Sequence, residues 1–136
     1  MRKSLFDFSL FTLSLLILLG CAESFEERCQ REAREYTEQH CPRMVDKSMR
    51  LDSMVYEQVP QGFAYYYSII GEMDNEDLIT PQVMAEYQEQ MLGKIRQDIN
   101  LKRYKEHGFT FSYRYFSGST GENLLDVSFG PEDYGE

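Results

Sequence analysis

The stretch FTFSYRYF, residues 109–116, has the strongest β-strand pattern in this chain. Side chains of a strand point alternately to its two faces, so residues at every second position share one face. Here one face is wholly aromatic: Phe109, Phe111, Tyr113 and Tyr115. The turn residues 118–121 are followed by residues 124–129, LLDVSF, which predict a further strand. The polar tail, residues 130–136, is predicted to be loose, and docking of Tyr134 is the alternative.

Two more strands are predicted upstream of this stretch. Residues 63–70, FAYYYSII, are rich in the aromatic and branched residues that strands prefer. Residues 49–57 also alternate, which places Met49, Leu51, Ser53 and Val55 on one face and Arg50, Asp52, Met54 and Tyr56 on the other. The turn sequence Val59-Pro60-Gln61-Gly62 connects the two segments and favours an antiparallel hairpin.

Apolar residues at helical spacing indicate two amphipathic helices. The first covers residues 24–40, with Ser24 as N-cap and Glu27 completing a capping box. The second begins at Thr80-Pro81, a favourable N-cap and first-turn pair, and runs to about Ile99. The apolar faces consist of Phe25, Cys29, Ala33, Tyr36 and His40 in the first helix, and of Met84, Tyr87, Met91, Ile95 and Ile99 in the second. A kinked extension would end at Gly108.

The order helix, two strands, helix, two strands predicts an α+β fold. Its simplest form is a four-stranded, mainly antiparallel sheet with both helices on one face. The length allows one mature domain, residues 21–136, in which residues 21–24 form a short tether. The other face of such a sheet can remain in water. The pattern leaves the strand order open.

The N-terminus has the pattern of a secretory signal. Arg2 and Lys3 precede an apolar run at residues 8–19. That run is shorter than the roughly 20 apolar residues that a helix needs to cross a bilayer. A charged start, a short apolar stretch and small residues before a cleavage point are typical of a signal peptide instead.

Leu18-Leu19-Gly20-Cys21 resembles the lipobox of bacterial lipoproteins. The resemblance implies that residues 1–20 are cut off between Gly20 and Cys21 and that Cys21 carries the lipid. Several acyl chains anchor a protein stably, since each buried methylene contributes about 0.8 kcal/mol. Ala22 stands where an aspartate would imply retention in the inner membrane, so the resemblance favours the outer membrane of the cell envelope. The layout also resembles small uncharacterised envelope lipoproteins and, more distantly, extracytoplasmic inhibitor and binding modules.

The charge of the mature chain excludes one class of partner. Without Arg2, Lys3 and Asp7, the totals of 14 basic and 23 acidic residues become 12 and 22, a formal charge of −10. Nucleic acid is therefore a poor partner, because binding it requires a basic surface that neutralises phosphates. The acidity likewise disfavours electrostatic binding of the folded surface to anionic lipid.

Cys29 and Cys41 leave two alternatives open. Exported proteins commonly form disulfides, which favours a bond between them. One straight helix containing both would separate them by about 18 Å along its axis, far beyond disulfide reach. A bond therefore requires the chain to bend between the two cysteines or the helix to begin after Cys29.

The residues offer no recognisable catalytic or metal site, and we predict a non-catalytic protein without a cofactor. His40 and Cys41 are adjacent, but an acidic segment does not lower the pKa of a thiol. Asp74, Glu76 and Asp77 lack the glycine and distal glutamate of an EF-hand loop. The histidines and cysteines do not have zinc-site spacing. The alternative is a small periplasmic enzyme or inhibitor module whose site is assembled from distant residues.

Aromatic residues in two strands are the candidate binding surface. The set consists of Tyr65, Tyr66, Tyr67, Tyr113, Arg114, Tyr115 and Phe116. Alternation places Tyr66 on the opposite face from Tyr65 and Tyr67, so one group covers the helices and the other faces outward. An outward group of tyrosines suits a protein or glycan partner. The alternative is cross-strand aromatic packing that only stabilises the sheet.

Overall fold

The structure is a computed structural model that describes residues 22–135. The predicted signal peptide, its cleavage point after Gly20 and the lipidation site Cys21 lie outside the described residues. The elements are α1 (Phe25–His40), β1 (Arg43–Met44), β2 (Met49–Gln58), β3 (Gln61–Ile69), α2 (Pro81–Gln97), α3 (Lys102–Glu106), β4 (Thr110–Ser117), β5 (Asn123–Phe129) and α4 (Pro131–Tyr134). Short 3-10 turns, Gly71–Met73, Glu76–Leu78 and Ile99–Leu101, connect them.

The predicted α+β class is confirmed, but the sheet has five strands in the order β1-β2-β3-β4-β5. The additional strand, β1, is a two-residue edge strand paired with Arg50 and Leu51. The central pair, β3 and β4, is parallel, whereas every other pair is antiparallel. The reason is the connection: α2 returns the chain to the end of the sheet where β3 began, as parallel neighbours require.

A β-bulge in β2 overturns the predicted alternation of that strand. Leu51 pairs with Tyr67, but the next pair on β3 joins Ser53 to Tyr66, which leaves Asp52 as an extra residue. An extra residue reverses the faces of everything that follows it. Met54 therefore faces the helices, and Ser53 faces outward. On the outer face, Asp52 accepts hydrogen bonds from Ser68 Oγ at 2.6 Å and from Arg50 Nε at 2.5 Å.

Both helices pack on one face of the sheet, as predicted. The buried core between them and the strands consists of Cys29, Ala33, Phe63, Ile95, Phe109, Phe111, Tyr113, Tyr115, Val127 and Phe129. Thr37 of α1 binds the sheet directly, because its hydroxyl donates to Met54 O and accepts from Met54 N, both at 2.9 Å. Because β1 pairs only with Arg50 and Leu51, it does not reach Met54, and Thr37 satisfies the backbone N–H and C=O of Met54 instead.

The predicted helix starts are confirmed. Glu27 N donates to Ser24 Oγ at 3.1 Å and Ser24 N donates to Glu27 Oε2 at 2.9 Å, which forms the capping box. Thr80 Oγ1 accepts from Val83 N at 3.3 Å. The second helix stops at Gln97, so Ile99 leaves the apolar stripe to which it was assigned.

The C-terminal tail is not loose along its described length. Residues 131–134 form α4, and Tyr134 donates a hydrogen bond to Phe109 O at 2.7 Å. The Tyr134 ring also lies 5.8 Å from that of Phe111. Tyr134 thus docks at the edge of the core, as the sequence alternative for this residue allowed.

Cys29 and Cys41 are both free thiols in the structure. The first helix runs unbroken through Cys29 to its C-cap at Cys41. The straight-helix alternative therefore holds, and the pair is separated by about 18 Å along the axis at 1.5 Å per residue.

Gly62→Ala tests the parallel pairing. A Cβ at Gly62 would lie 1.8 Å from the carbonyl oxygen of Thr110, so β3 and β4 would have to separate. We expect a loss of about 3 kcal/mol or more in the free energy of unfolding, measured by chemical denaturation. Gly93→Ala is the matched control: its Cβ would meet nothing within 4 Å, and a helical Gly-to-Ala change stabilises by up to about 1 kcal/mol. An unchanged stability of Gly62→Ala would contradict this pairing.

Candidate functional site

The sheet divides the seven candidate residues between its two faces. Tyr65, Tyr67, Tyr113 and Tyr115 point towards the helices and belong to the core or pack against it. Tyr66, Arg114 and Phe116 lie on the outer face, because they occupy the intervening positions of the same two strands. The division follows the alternation of the sequence, which places Tyr66 opposite Tyr65 and Tyr67, and the structure decides which of the two groups the helices cover.

On the helix side, parallel register builds two tyrosine stacks. The rings of Tyr65 and Tyr113 are 5.1 Å apart, and those of Tyr67 and Tyr115 are 5.0 Å apart. The hydroxyls of Tyr115 and Tyr87, from α2, hydrogen-bond to each other. Burial raises the pKa of Tyr67 to about 12 and also raises those of Tyr65, Tyr113 and Tyr87. These phenols are neutral at physiological pH and act as packing groups.

On the outer face, Tyr66, Arg114 and Phe116 form a small ordered surface, which we call the outer-face patch. The rings of Tyr66 and Phe116 stack at 6.1 Å, and the Arg114 guanidinium lies 5.3 Å from the Tyr66 ring. Glu57 holds that guanidinium with both carboxylate oxygens, at 2.7 and 3.1 Å. Hydrogen bonding to Glu57 raises the pKa of Arg114. All three patch residues are half-buried, so the patch remains accessible.

Two neighbouring cavities lie between α2 and the sheet. The first, which we call the tyrosine cleft, has a volume of about 420 Å³, and the four tyrosines of the stacks line it together with Lys94 and Asp98. The second, which we call the apolar groove, has a volume of about 490 Å³. Its lining is Asp46, Lys47, Ser48, Met49, Ile69, Met73, Leu78, Ile79, Val83, Met84, Tyr87, Tyr115 and Leu125. Four residues line both cavities: Asp46, Met49, Tyr87 and Tyr115.

The apolar groove owes its outer wall to the connection between β3 and α2. Met73 and Leu78 belong to its two 3-10 turns, and Val83 lies in the first turn of α2. All three are exposed. The sequence analysis considered this connection only for its carboxylates and did not single out these three residues. The available signal was the recurrence of large apolar residues within a polar connection.

Asp74 connects this wall of the groove to the β4–β5 turn by hydrogen bonds. Its Oδ2 accepts a hydrogen bond from Ser119 N, in the β4–β5 turn, at 2.9 Å. Hydrogen bonds from Ser117 and Ser119 lower the pKa of the Asp74 carboxyl. Asp74 therefore has a structural role, and its neighbours in the MDNED segment remain exposed.

Potential metal ligands and thiols lie dispersed in the described part of the chain. Within residues 22–135, no three His, Cys, Asp or Glu side chains are placed to hold a metal ion. Every buried side-chain nitrogen or oxygen in that range has a hydrogen-bond partner. Burial raises the pKa of both Cys29 and Cys41, which disfavours the nucleophilic thiolate. None of the described helices combines the length and apolar character needed to cross a membrane.

The buried tyrosines predict an alkaline limit of stability. Their folded-state pKa values lie above the unfolded value of about 10, so the unfolded chain releases these protons first. Stability is complete below about pH 10 and falls as the pH rises towards the pKa of Tyr67, about 12. Tyrosinate absorbance and circular dichroism should show part of the tyrosines ionising only on unfolding. Tyr67→Phe should move that transition to higher pH. Reversible titration of all tyrosines near pH 10 in a folded protein would contradict the burial.

The fold has relatives among solved structures. A candidate secreted protein from Pseudomonas aeruginosa superposes with a TM-score of 0.63 at 9% identity, over 83% of this chain and 99% of the other. The pilotin of the Vibrio vulnificus type 2 secretion system superposes with a TM-score of 0.60 at 10% identity, over 82% of this chain and 92% of the other. At these identities the likeness establishes the fold alone. No curated protein sequence matches the chain significantly.

The sequence also matches a family model. The match covers residues 24–125, from the N-cap of α1 to the middle of β5. It spans three quarters of the chain and includes the apolar groove and the outer-face patch. The chain therefore belongs to the family described as Domain of unknown function (DUF8479).

Proposed function

We propose that this protein is a lipid-anchored component of the bacterial cell envelope that binds a protein partner in the apolar groove. The groove carries the proposal: it is a preformed concave surface whose rim residues Met73, Leu78 and Val83 are exposed to water. Contiguous exposed apolar surface of this kind is typical of interaction sites. Proteins with this fold include a pilotin of a secretion system, which supports a binding role rather than catalysis.

Charge around the groove indicates the chemistry of the partner. On one side of the groove, the negative charge of Asp46 and the positive charge of Lys47 offset each other. On the other side, the loop that forms the outer wall carries Glu72, Glu76 and Asp77, all exposed. A segment with an apolar face and flanking Lys or Arg residues would fill the groove and complement this acidic rim.

The second part of the proposal is a lipid anchor at Cys21. Residues 18–21 resemble a lipobox, and the folded part begins directly afterwards, with α1 starting at Phe25. We place the mature domain, residues 21–136, in the envelope on this basis, with the outer membrane favoured by Ala22. Several acyl chains would hold it there without a membrane-spanning helix.

The outer-face patch is the second candidate surface, for a protein or glycan partner. Tyr66 and Arg114 offer a flat aromatic ring and a fixed guanidinium, groups that are enriched in binding surfaces. Their mutual contacts and the Glu57 pair also stabilise the sheet. We rank the apolar groove first because the patch groups already satisfy one another.

Cys21→Ala tests the anchor. The variant should lose lipid labelling and either leave the membrane fraction or accumulate with its signal uncut. Mass spectrometry of the mature N-terminus and membrane fractionation measure both effects. Because Cys41 is also a thiol, Cys41→Ser serves as the control and should be lipidated normally. Normal membrane retention and unchanged mobility of Cys21→Ala would overturn the anchor.

Site-specific photocrosslinking in intact cells tests the groove. A photoreactive phenylalanine analogue at Leu78 should capture a protein, and the same probe at Tyr66 should not. Val83→Asp should weaken capture about tenfold or more, since a charge buried in an apolar contact costs more than the 1.4 kcal/mol that corresponds to tenfold. Val55→Asp, on the outer face and similarly exposed, should leave capture at Leu78 unchanged. If the probe at Tyr66 captured a protein and Val55→Asp abolished that capture, the partner would bind the outer-face patch instead.

A further inference from the structure

The proposed lipid anchor fixes which end of the fold faces the bilayer. Cys21 precedes the first residue of α1, Phe25, by four positions. At 3.3–3.6 Å per residue, even a fully extended chain allows at most about 14 Å between them. An acylated Cys21 therefore holds the N-terminal end of α1 close to the membrane surface.

Two other segments lie at this end of the molecule. Gln58, at the end of β2, donates a hydrogen bond to Glu26 in the first turn of α1, which places the β2–β3 turn there. The ring of His107 stacks on Phe25 at 3.9 Å, and the guanidinium of Arg103 lies 5.8 Å from the same ring. The 3-10 turn at 99–101 leads directly into α3, to which Arg103 belongs. We call this region the tethered end: the N-terminus of α1, the β2–β3 turn and residues 99–107.

The tethered end presents the most exposed large apolar side chains of residues 22–135. Val59, in the β2–β3 turn, is 91% exposed, and Ile99 is 82% exposed. Neither contributes to the core, the tyrosine cleft or the apolar groove. Lys102, one turn after Ile99, has a side chain that is 74% exposed, and its Nζ lies 3.9 Å from Glu106 Oε1.

We propose that the tethered end is a bilayer contact surface, in which Val59 and Ile99 enter the boundary between lipid headgroups and acyl chains. This inference rests on the lipid anchor of the proposed function. The net negative charge of the chain opposes electrostatic adsorption, so the acyl chains supply membrane affinity and the two apolar side chains set the orientation. Because the anchor already holds the protein on the bilayer, the contacts of Val59 and Ile99 form at a high effective concentration, and weak contacts are then sufficient to orient the domain.

This orientation directs the apolar groove away from the membrane. Gln58 and Gln61 pair next to the β2–β3 turn, whereas Met49 and Ile69, which line the groove, pair at the other end of the same hairpin. The eight-residue interval along β3 corresponds to about 26 Å at 3.3 Å per residue. A partner could then enter the groove without displacing the bilayer contact.

Fluorescence quenching on the acylated mature protein, residues 21–136, tests this orientation. Single cysteines are introduced as Val59→Cys or Ile99→Cys at the tethered end and as Leu78→Cys at the groove, in a Cys41→Ser background where Cys29 is fully buried. Each is labelled with an environment-sensitive dye and reconstituted in vesicles of phosphatidylethanolamine with a minor fraction of phosphatidylglycerol. Nitroxide-labelled lipids report contact with the bilayer, and aqueous iodide reports contact with water.

We expect dyes at positions 59 and 99 to be quenched by nitroxide lipids, to shift to shorter emission wavelength and to lose most of their iodide quenching. The dye at position 78 should behave in the opposite way. Equal iodide quenching at all three positions, in protein whose Cys21 acylation is verified by mass spectrometry, would overturn the bilayer contact and leave the anchor intact. Absence of acylation would overturn the anchor and, with it, this inference. Circular dichroism of each labelled variant confirms that its fold is retained.

Discussion

The parallel pairing of β3 with β4 is the constraint on which the rest of the structure depends. Gly62 permits it, because a side chain there would collide with the Thr110 backbone. Matched register then stacks Tyr65 on Tyr113 and Tyr67 on Tyr115. A parallel pair also requires a connection that crosses the length of the sheet, and α2 with its flanking turns supplies it. The cavities between α2 and the sheet are consequences of that crossing.

The same connection separates the two surfaces to which we assign roles. Because α2 begins beside the far ends of β3 and β4 and finishes beside their starts, the wall of the apolar groove forms at one end and the Ile99 turn at the other. The N-terminus of α1 lies with Phe109 and the start of β4, where the rings of Phe25 and Phe109 are 5.8 Å apart. The proposed lipid anchor and the proposed binding groove would then lie at opposite ends, which suits a protein that presents a partner site away from the membrane.

The candidate surface shows how far sequence reasoning reached. Alternation correctly separated Tyr66 from Tyr65 and Tyr67, because the period of two is a local property of any strand. It could not reveal which face the helices would cover, and the tyrosine stacks proved to be part of the core side. Nor could it locate the apolar groove, whose lining residues come from β2, β3, α2, β4, β5 and two loops and meet only through tertiary packing.

The sequence alone determined the helix starts at Ser24 and Thr80, the β2–β3 hairpin and the α+β class, because capping, turn chemistry and periodicity act over a few residues. The tertiary structure decided the rest. It made β3 and β4 parallel, added β1 at the edge and reversed the faces of β2 after Asp52. It also docked Tyr134 against Phe109. Each of these depends on a contact between residues distant in the chain, for which the local pattern carries no signal.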